Sequence, residues 1–189
     1  MLRALQLAAL LLGATVVVGC NSQQQAKPPP TLLDAAEQGD LQVMGDFLKG
    51  SQLVNMRDAC LWTPLMKAAL NGHYTAVERL IDSGADIDLV DKGGYSAMML
   101  AASNNFHRVV DLLLEHDADV DLVEHTHGWT ALIWAARRGH TETVRVLLEH
   151  GAQQLVVDDE GKSALDHASE HQFGEIVAML GPGADASAI

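Results

Sequence analysis

Residues 62–73 read WTPLMKAALNGH, a stretch with no nucleophile beside a base and no set of metal ligands, yet the chain keeps returning to something very like it. Thr63 is matched by Ser96, Thr130 and Ser163, at intervals of 33, 34 and 33 residues. The paired alanines hold the same register: Ala35-Ala36, Ala68-Ala69, Ala101-Ala102 and Ala135-Ala136, with Ala168 one period further on. A fixed period of this length is the signature of a solenoid, in which a unit too small to bury its own apolar side stacks on its neighbours. Each unit carries a second apolar stretch beyond the alanines: VMGDFL (43–48), AVERLI (76–81), VVDLLL (109–114), TVRVLL (143–148) and IVAML (176–180). Apolar residues there recur at helical spacing, so each unit reads as two short antiparallel helices.

The small alanines have a physical reason. Adjacent helices approach closely only where a side chain adds little bulk, and Leu65, Met98, Leu132 and Leu165 then fill the space between layers. Between units lie SGADIDLVDKGGY (83–95), HDADVDLVEHTHGW (116–129) and HGAQQLVVDDEGK (150–162), where turn residues flank short β-prone pieces such as Ile87 to Val90. These loops are expected to project as fingers.

TPLMKAALNGH (63–73), TALIWAARRGH (130–140), GAD (84–86) and GHTETVRVLLEHGA (139–152) resemble the ankyrin repeat, whose pattern is T-P-L-H-x-A-A-x-x-G-H followed by V-x-x-L-L and G-A-D. The likeness runs across residues 31–180 and implies an all-α fold: an ankyrin-repeat solenoid of helix-turn-helix units with β-hairpin-like finger loops. It divides the chain into a degenerate first repeat (31–61), repeats at 62–94, 95–128 and 129–161, and a truncated C-terminal repeat with a tail (162–189). Some positions depart from the pattern. The family's histidine after T-P-L is replaced by Met66, Met99, Ile133 and Asp166, which is expected to remove a hydrogen bond that steadies the helix entrance. Asp117 stands where glycine normally takes a left-handed conformation, and EHTHG (124–128) carries one extra residue. The domain is expected to fold, below consensus stability.

The N-terminus reads differently. Met1-Leu2-Arg3 supplies one positive charge, and Ala4 to Val18 is apolar or small apart from Gln6 and Thr15. A helix over that stretch is about 22 Å long, short of the roughly 30 Å of a bilayer core, so a cleaved signal (1–19) is expected rather than a span. VVGC (17–20) resembles the bacterial lipobox, which implies that Cys20 is lipidated and becomes the new N-terminus; an ordinary signal peptide is the alternative. Acyl chains supply about 0.8 kcal/mol per buried methylene, enough in combination to hold a protein on a membrane. Asn21 rather than Asp after the cysteine implies the outer membrane, facing the periplasm of a bacterial cell envelope. Residues 20–30, ending in KPPP, form a tether. With Cys20 acylated, Cys60 is the sole remaining thiol, so stability rests on packing.

The chain has 12 basic and 25 acidic residues, and loss of Arg3 with the signal leaves 11 basic ones. That balance excludes a nucleic-acid ligand, which needs a basic stripe to replace phosphate counterions. The acid excess serves solubility or recruits a basic partner. His125 and His127 form the closest histidine pair, but two imidazoles do not complete a zinc shell; no metal and no cofactor are expected. Asp158, Asp159 and Glu160 read as a solvated turn, and no acid–base pair breaks the repeat rule, so no catalytic residue is assigned.

Binding residues should recur with the period on the concave face and finger tips. The position before each Thr or Ser is Trp62, Tyr95, Trp129 and Lys162, an aromatic in three successive units; such rings are enriched at interfaces, or else pack on neighbouring fingers. The exposed first-helix pairs are Leu70-Asn71, Ser103-Asn104, Arg137-Arg138 and Ser169-Glu170; Arg137-Arg138 is a basic patch suited to clasping a partner carboxylate or else a solvated helix surface. The fingers add Lys92, His125, Thr126 and His127. The expected function is a non-catalytic, lipid-anchored module that binds a periplasmic partner protein, protecting or inhibiting an enzyme or toxin. The alternative is a general envelope scaffold without a dedicated partner.

Overall fold

A hydroxyl group starts every repeat. In the computed structural model, which describes residues 31–49 and 53–181, Thr31, Thr63, Ser96, Thr130 and Ser163 are extended residues whose side chains accept the N–H of the third helical residue at 3.2–3.3 Å. Each hydroxyl satisfies one of the backbone donors that a helix start leaves without a partner. The helices they open are α1 (Leu32–Gln38), α3 (Pro64–Leu70), α5 (Ala97–Ser103), α7 (Ala131–Arg138) and α9 (Ala164–Glu170). Each is followed by a second helix: α2 (Leu41–Leu48), α4 (Tyr74–Asp82), α6 (His107–Glu115), α8 (Thr141–Glu149) and α10 (Gly174–Leu180). Residues 1–30, read from the sequence as a signal, Cys20 and a tether, lie outside the described residues.

The lost hydrogen bond expected at the helix entrance is restored in two ways. At Asp166 the carboxylate accepts the Ser163 N–H at 2.8 Å, a reciprocal capping box that Thr31 and Asp34 repeat. At Met66 the thioether sulfur takes the Thr63 N–H at 3.4 Å. Met99 and Ile133 are buried and contribute packing instead.

The alanines sit where two layers meet. Ala36, Ala68, Ala69, Ala101, Ala102, Ala135, Ala136 and Ala168 are fully buried, and consecutive first helices pack against one another along them. The second helices touch less closely, so the first helices line the inner, concave side. Leu80, Leu113, Leu147 and Ile176 fill the seam between layers. The turn joining the two helices of a repeat is left-handed at Gly39, Gly72, Asn105, Gly139 and Gln172. Gly72 needs its bare backbone twice over, since a Cβ there would stand 2.5 Å from the Phe106 ring of the next repeat. Asp117 is left-handed (φ 64°), as its alignment with glycine implies. His73 and His140, the histidines of the G-H that closes the repeat pattern, donate from Nε2 to the carbonyls of Glu37 and Ser103 one repeat earlier, at 3.0 and 3.1 Å.

The fingers are hairpin-like in outline, with little strand pairing. Among the described residues the β contacts are the isolated bridges Val90–Ser96 and Val157–Ser163, so the β-prone run Ile87 to Val90 contributes Val90 alone. No helix among the described residues is long and apolar enough to cross a membrane.

Placing a leucine at Ala136 should force adjacent first helices apart and lower the unfolding free energy by about 1–3 kcal/mol, whereas Ala178→Leu on exposed α10 should change it by about 0.5 kcal/mol or less. Urea unfolding followed by circular dichroism measures both.

Candidate partner-binding face

What holds the fingers is a carboxylate at fixed register. Asp58, Asp91, Glu124 and Asp158 recur at 33, 33 and 34 residues, and each gathers the backbone N–H groups of its own turn. Asp58 Oδ1 accepts from Cys60 and Trp62 at 2.8 and 2.9 Å; Asp91 Oδ1 accepts from Gly93 and Tyr95 at the same distances. Asp158 Oδ1 accepts from Glu160 and Lys162, both at 2.9 Å. The third finger holds the extra residue, and there the carboxylate is Glu, longer by one methylene, reaching the N–H groups of Thr126 (2.6 Å), His127 (2.8 Å) and Trp129 (3.3 Å). The insertion and the longer side chain compensate each other. In every case the last N–H captured belongs to the residue before the helix cap, so the carboxylate sets where Trp62, Tyr95, Trp129 and Lys162 leave the backbone. Finger tips also bond in series: Lys92 N to Cys60 O, His125 N to Gly93 O and Asp159 N to His127 O.

Trp129 is 8 % exposed, which corrects its reading as a surface anchor. Its indole N–H donates to Asp158 Oδ2 at 2.9 Å, and the His127 ring stacks on it at 4.3 Å. Tyr95 is half-buried; burial, with Glu124 adding to it against an opposing Thr126 hydrogen bond, raises its hydroxyl pKa above the ordinary value. Trp62 is half-buried under Lys67, whose ammonium lies 4.9 Å from the ring centre. Leu70 and Asn71 sit on this earlier repeat, as does Trp62, and Asn71 caps α3 by donating to Lys67 O. Ser103 and Asn104 both donate to Leu100 O at the end of α5. Lys92, His125, Thr126 and His127 are exposed on finger tips.

The structure brings Tyr95, Thr126, His127, Trp129, Arg137 and Arg138 together, and adds residues the sequence reading passed over. Trp134, four residues before Arg138 on α7, meets Trp129 edge-on at 4.6 Å and Tyr95 at 6.1 Å. The Arg137 and Arg138 guanidinium groups lie 5.0 and 5.2 Å from the ring centres of Trp129 and Trp134. The indole nitrogen of Trp134 is buried without a hydrogen-bond partner.

Beside this cluster a cleft of about 310 Å³ opens between the fingers at Thr126–Trp129 and Asp158–Glu160, with Arg137 and His167 in its lining. Asp158 is therefore no solvated turn residue, as DDE suggested: it is 6 % exposed, and its Oδ2 accepts from His167 Nε2 at 2.7 Å as well as from Trp129. A carboxylate only accepts, so Nε2 carries the hydrogen and the Nδ1 lone pair faces Arg137 Nη1 at 3.4 Å. Burial alone would raise the Asp158 pKa, but the donors from Lys162, His167, Trp129 and Glu160 outweigh it and hold the carboxyl far below the usual range. Glu124 is likewise depressed: burial opposes, and the N–H groups of Thr126, His127 and Trp129 prevail. The oxygens of Asp158 and the Nε2 of His167 are thus engaged in holding the fold. No cluster of three or more metal-ligating side chains occurs among the described residues.

The stacked helix pairs define a repeat solenoid. A family model of ankyrin repeats, in three copies, matches residues 32–124 and 121–188, and the chain belongs to that family. Ankyrin repeats are a protein-binding scaffold and in general non-catalytic. The chain is 29% identical over 171 residues to the mitochondrial disaggregase of Bos taurus, covering 89% of this chain and 25% of that protein. It is 34% identical over 143 residues to the mouse ankyrin repeat and SAM domain-containing protein 6, covering 75% and 12% respectively. With human mitochondrial disaggregase it shares 35% over 80 residues, 42% of this chain and 11% of the relative. The chain thus spans a quarter or less of these relatives.

Because the folded pKa values of Asp158 and Glu124 are depressed, their contribution is complete above the unfolded carboxylate pKa of about 4 and is lost as pH falls through the folded values. Urea midpoints should fall on acidification below about pH 4. Asp158→Asn should cost about 1–3 kcal/mol at pH 7 by leaving buried donors unpaired, and should make the acid loss shallower.

Proposed function

We propose that the protein is a non-catalytic, lipid-anchored ankyrin-repeat module that binds one partner protein in the bacterial periplasm through its concave face and fingers, protecting or inhibiting a periplasmic enzyme or toxin. The observation that carries the binding part is the coincidence of three features at one place: the one-residue insertion in the third finger, the cleft beside it, and the Tyr95–Trp134–Trp129 cluster topped by two arginines. Trp129 also serves the fold through Asp158, but stacking needs neither the insertion nor the adjacent arginines over Trp134, and aromatic and arginine side chains are those that dominate protein interfaces. The anchoring part rests on VVGC at residues 17–20 and the polar, proline-ending tether after it. Membrane attachment is through the N-terminal lipid on Cys20, with the tether spacing the folded repeats from the outer membrane.

Two measurements test this reading. The tagged protein should capture one stoichiometric partner from envelope extracts, and Trp62→Ala combined with Arg138→Glu should weaken that binding by about 2 kcal/mol or more. Many weakly held proteins, indifferent to the substitutions, would favour the general scaffold instead. Labelled palmitate should enter the wild type and not Cys20→Ser, and that variant should move from the membrane fraction to the soluble one.

A further inference from the structure

We propose that Arg137 and Arg138 form a receptor for a carboxylate-bearing segment of the partner, an acidic peptide stretch that lays an aliphatic or aromatic side chain against Trp134; this rests on the partner-binding reading above. The chain holds twice as many acidic as basic residues, 25 against 12, and Lys49, Lys67, Arg145 and Lys162 each reach a carboxylate within 4.0 Å. Of the basic side chains without such a pair among the described residues, Arg57, Arg79, Lys92, Arg108, Arg137 and Arg138, only the last two are adjacent in sequence, and Asp159 and Glu160 line the same cleft as Arg137.

Their geometry leaves the recognition edge open. Each guanidinium carbon lies over an indole ring, and a carboxylate is bound by the N–H groups along a guanidinium's edge. One nitrogen of each group has a modest internal contact: Arg137 Nη1 with His167 Nδ1 at 3.4 Å, and Arg138 Nη1 with Ser103 O at 3.1 Å. The rest of each fork is free to meet a bidentate acceptor. The indoles that carry the two cations touch each other at 4.6 Å, so the pair is pre-placed and little side-chain freedom is lost on binding. The Trp134 indole N–H beneath this cluster is buried and has no hydrogen-bond partner among the described residues. Trp134, which is half-buried on α7, gives the segment an apolar contact. The exposed carboxylates Asp159 and Glu160 in the cleft lining repel any anion, a densely charged polyphosphate or nucleic acid more strongly than a peptide whose carboxylates are spaced along the chain.

The test uses the intact protein and three end-blocked hexapeptides: alternating Glu-Leu, alternating Lys-Leu and alternating Ser-Leu, with inorganic phosphate as a fourth probe, read by tryptophan fluorescence and calorimetry. The Glu-Leu peptide should bind and quench or shift the emission. Raising salt should weaken it, and Arg137→Ala with Arg138→Ala should weaken it at least tenfold. Arg138→Gln, on an exposed side chain that leaves the His167 contact intact, should weaken it severalfold with an unchanged melting temperature. No binding of Glu-Leu up to millimolar concentration, equal or tighter binding of Lys-Leu or phosphate, or indifference to Arg138→Gln would overturn the proposal. A partner captured from extracts and lost on Trp62→Ala would then still support the broader reading, so the two failures are distinguishable.

Discussion

A single carboxylate wound into each finger turn decides where the functional face points. Asp58, Asp91, Glu124 and Asp158 each collect the N–H groups of their own loop and end on the residue before the helix cap. Such N–H groups, removed from water, would otherwise cost the fold free energy. By holding them, the carboxylate fixes the exit direction of Trp62, Tyr95, Trp129 and Lys162, and with it the start of the next first helix. Packing of the alanine-lined helices then carries that placement from one repeat to the next.

The same chemistry accounts for part of the acid excess. A second ladder runs between repeats: Asn55 accepts the N–H of Asp86 at 2.9 Å, Asp88 that of Asp119 at 3.0 Å and Asp121 that of Gln153 at 3.0 Å. Carboxylates that bond backbone N–H groups across adjacent units are structural, whatever their effect on solubility.

The fold was legible because its signal is repeated: a Thr or Ser cap, two alanines and an apolar helix every 33 or 34 residues cannot arise from independent elements. The site was half legible. Counting from each cap picked out the residue before it and the two after the alanines, which found Tyr95, Trp129, Arg137 and Arg138. It passed over the intervening helical position, where Lys67, Leu100, Trp134 and His167 share the concave face; the spacing of Trp134 to Arg137 and Arg138, three and four residues, was the available clue. Asp158 was read with its neighbours as a surface acid, although its register with Asp58, Asp91 and Glu124 was present in the sequence. Whether Trp129 faced a partner or its own fold was beyond a one-dimensional pattern, since burial depends on the next finger, which supplies Asp158.

The concave face is thus an outcome of loop chemistry as much as of helix packing, and the third finger is where that chemistry is altered. Glu124 replaces Asp where the loop gains a residue, and the cleft, the two tryptophans and the arginines lie beside it. The most direct measurement is a double-mutant cycle on that finger, by urea unfolding, between Glu124→Asp and deletion of His125. Each change alone should cost about 1–3 kcal/mol, and together they should restore most of the stability by recreating the geometry of Asp91 and its turn. Costs that simply add would contradict the account.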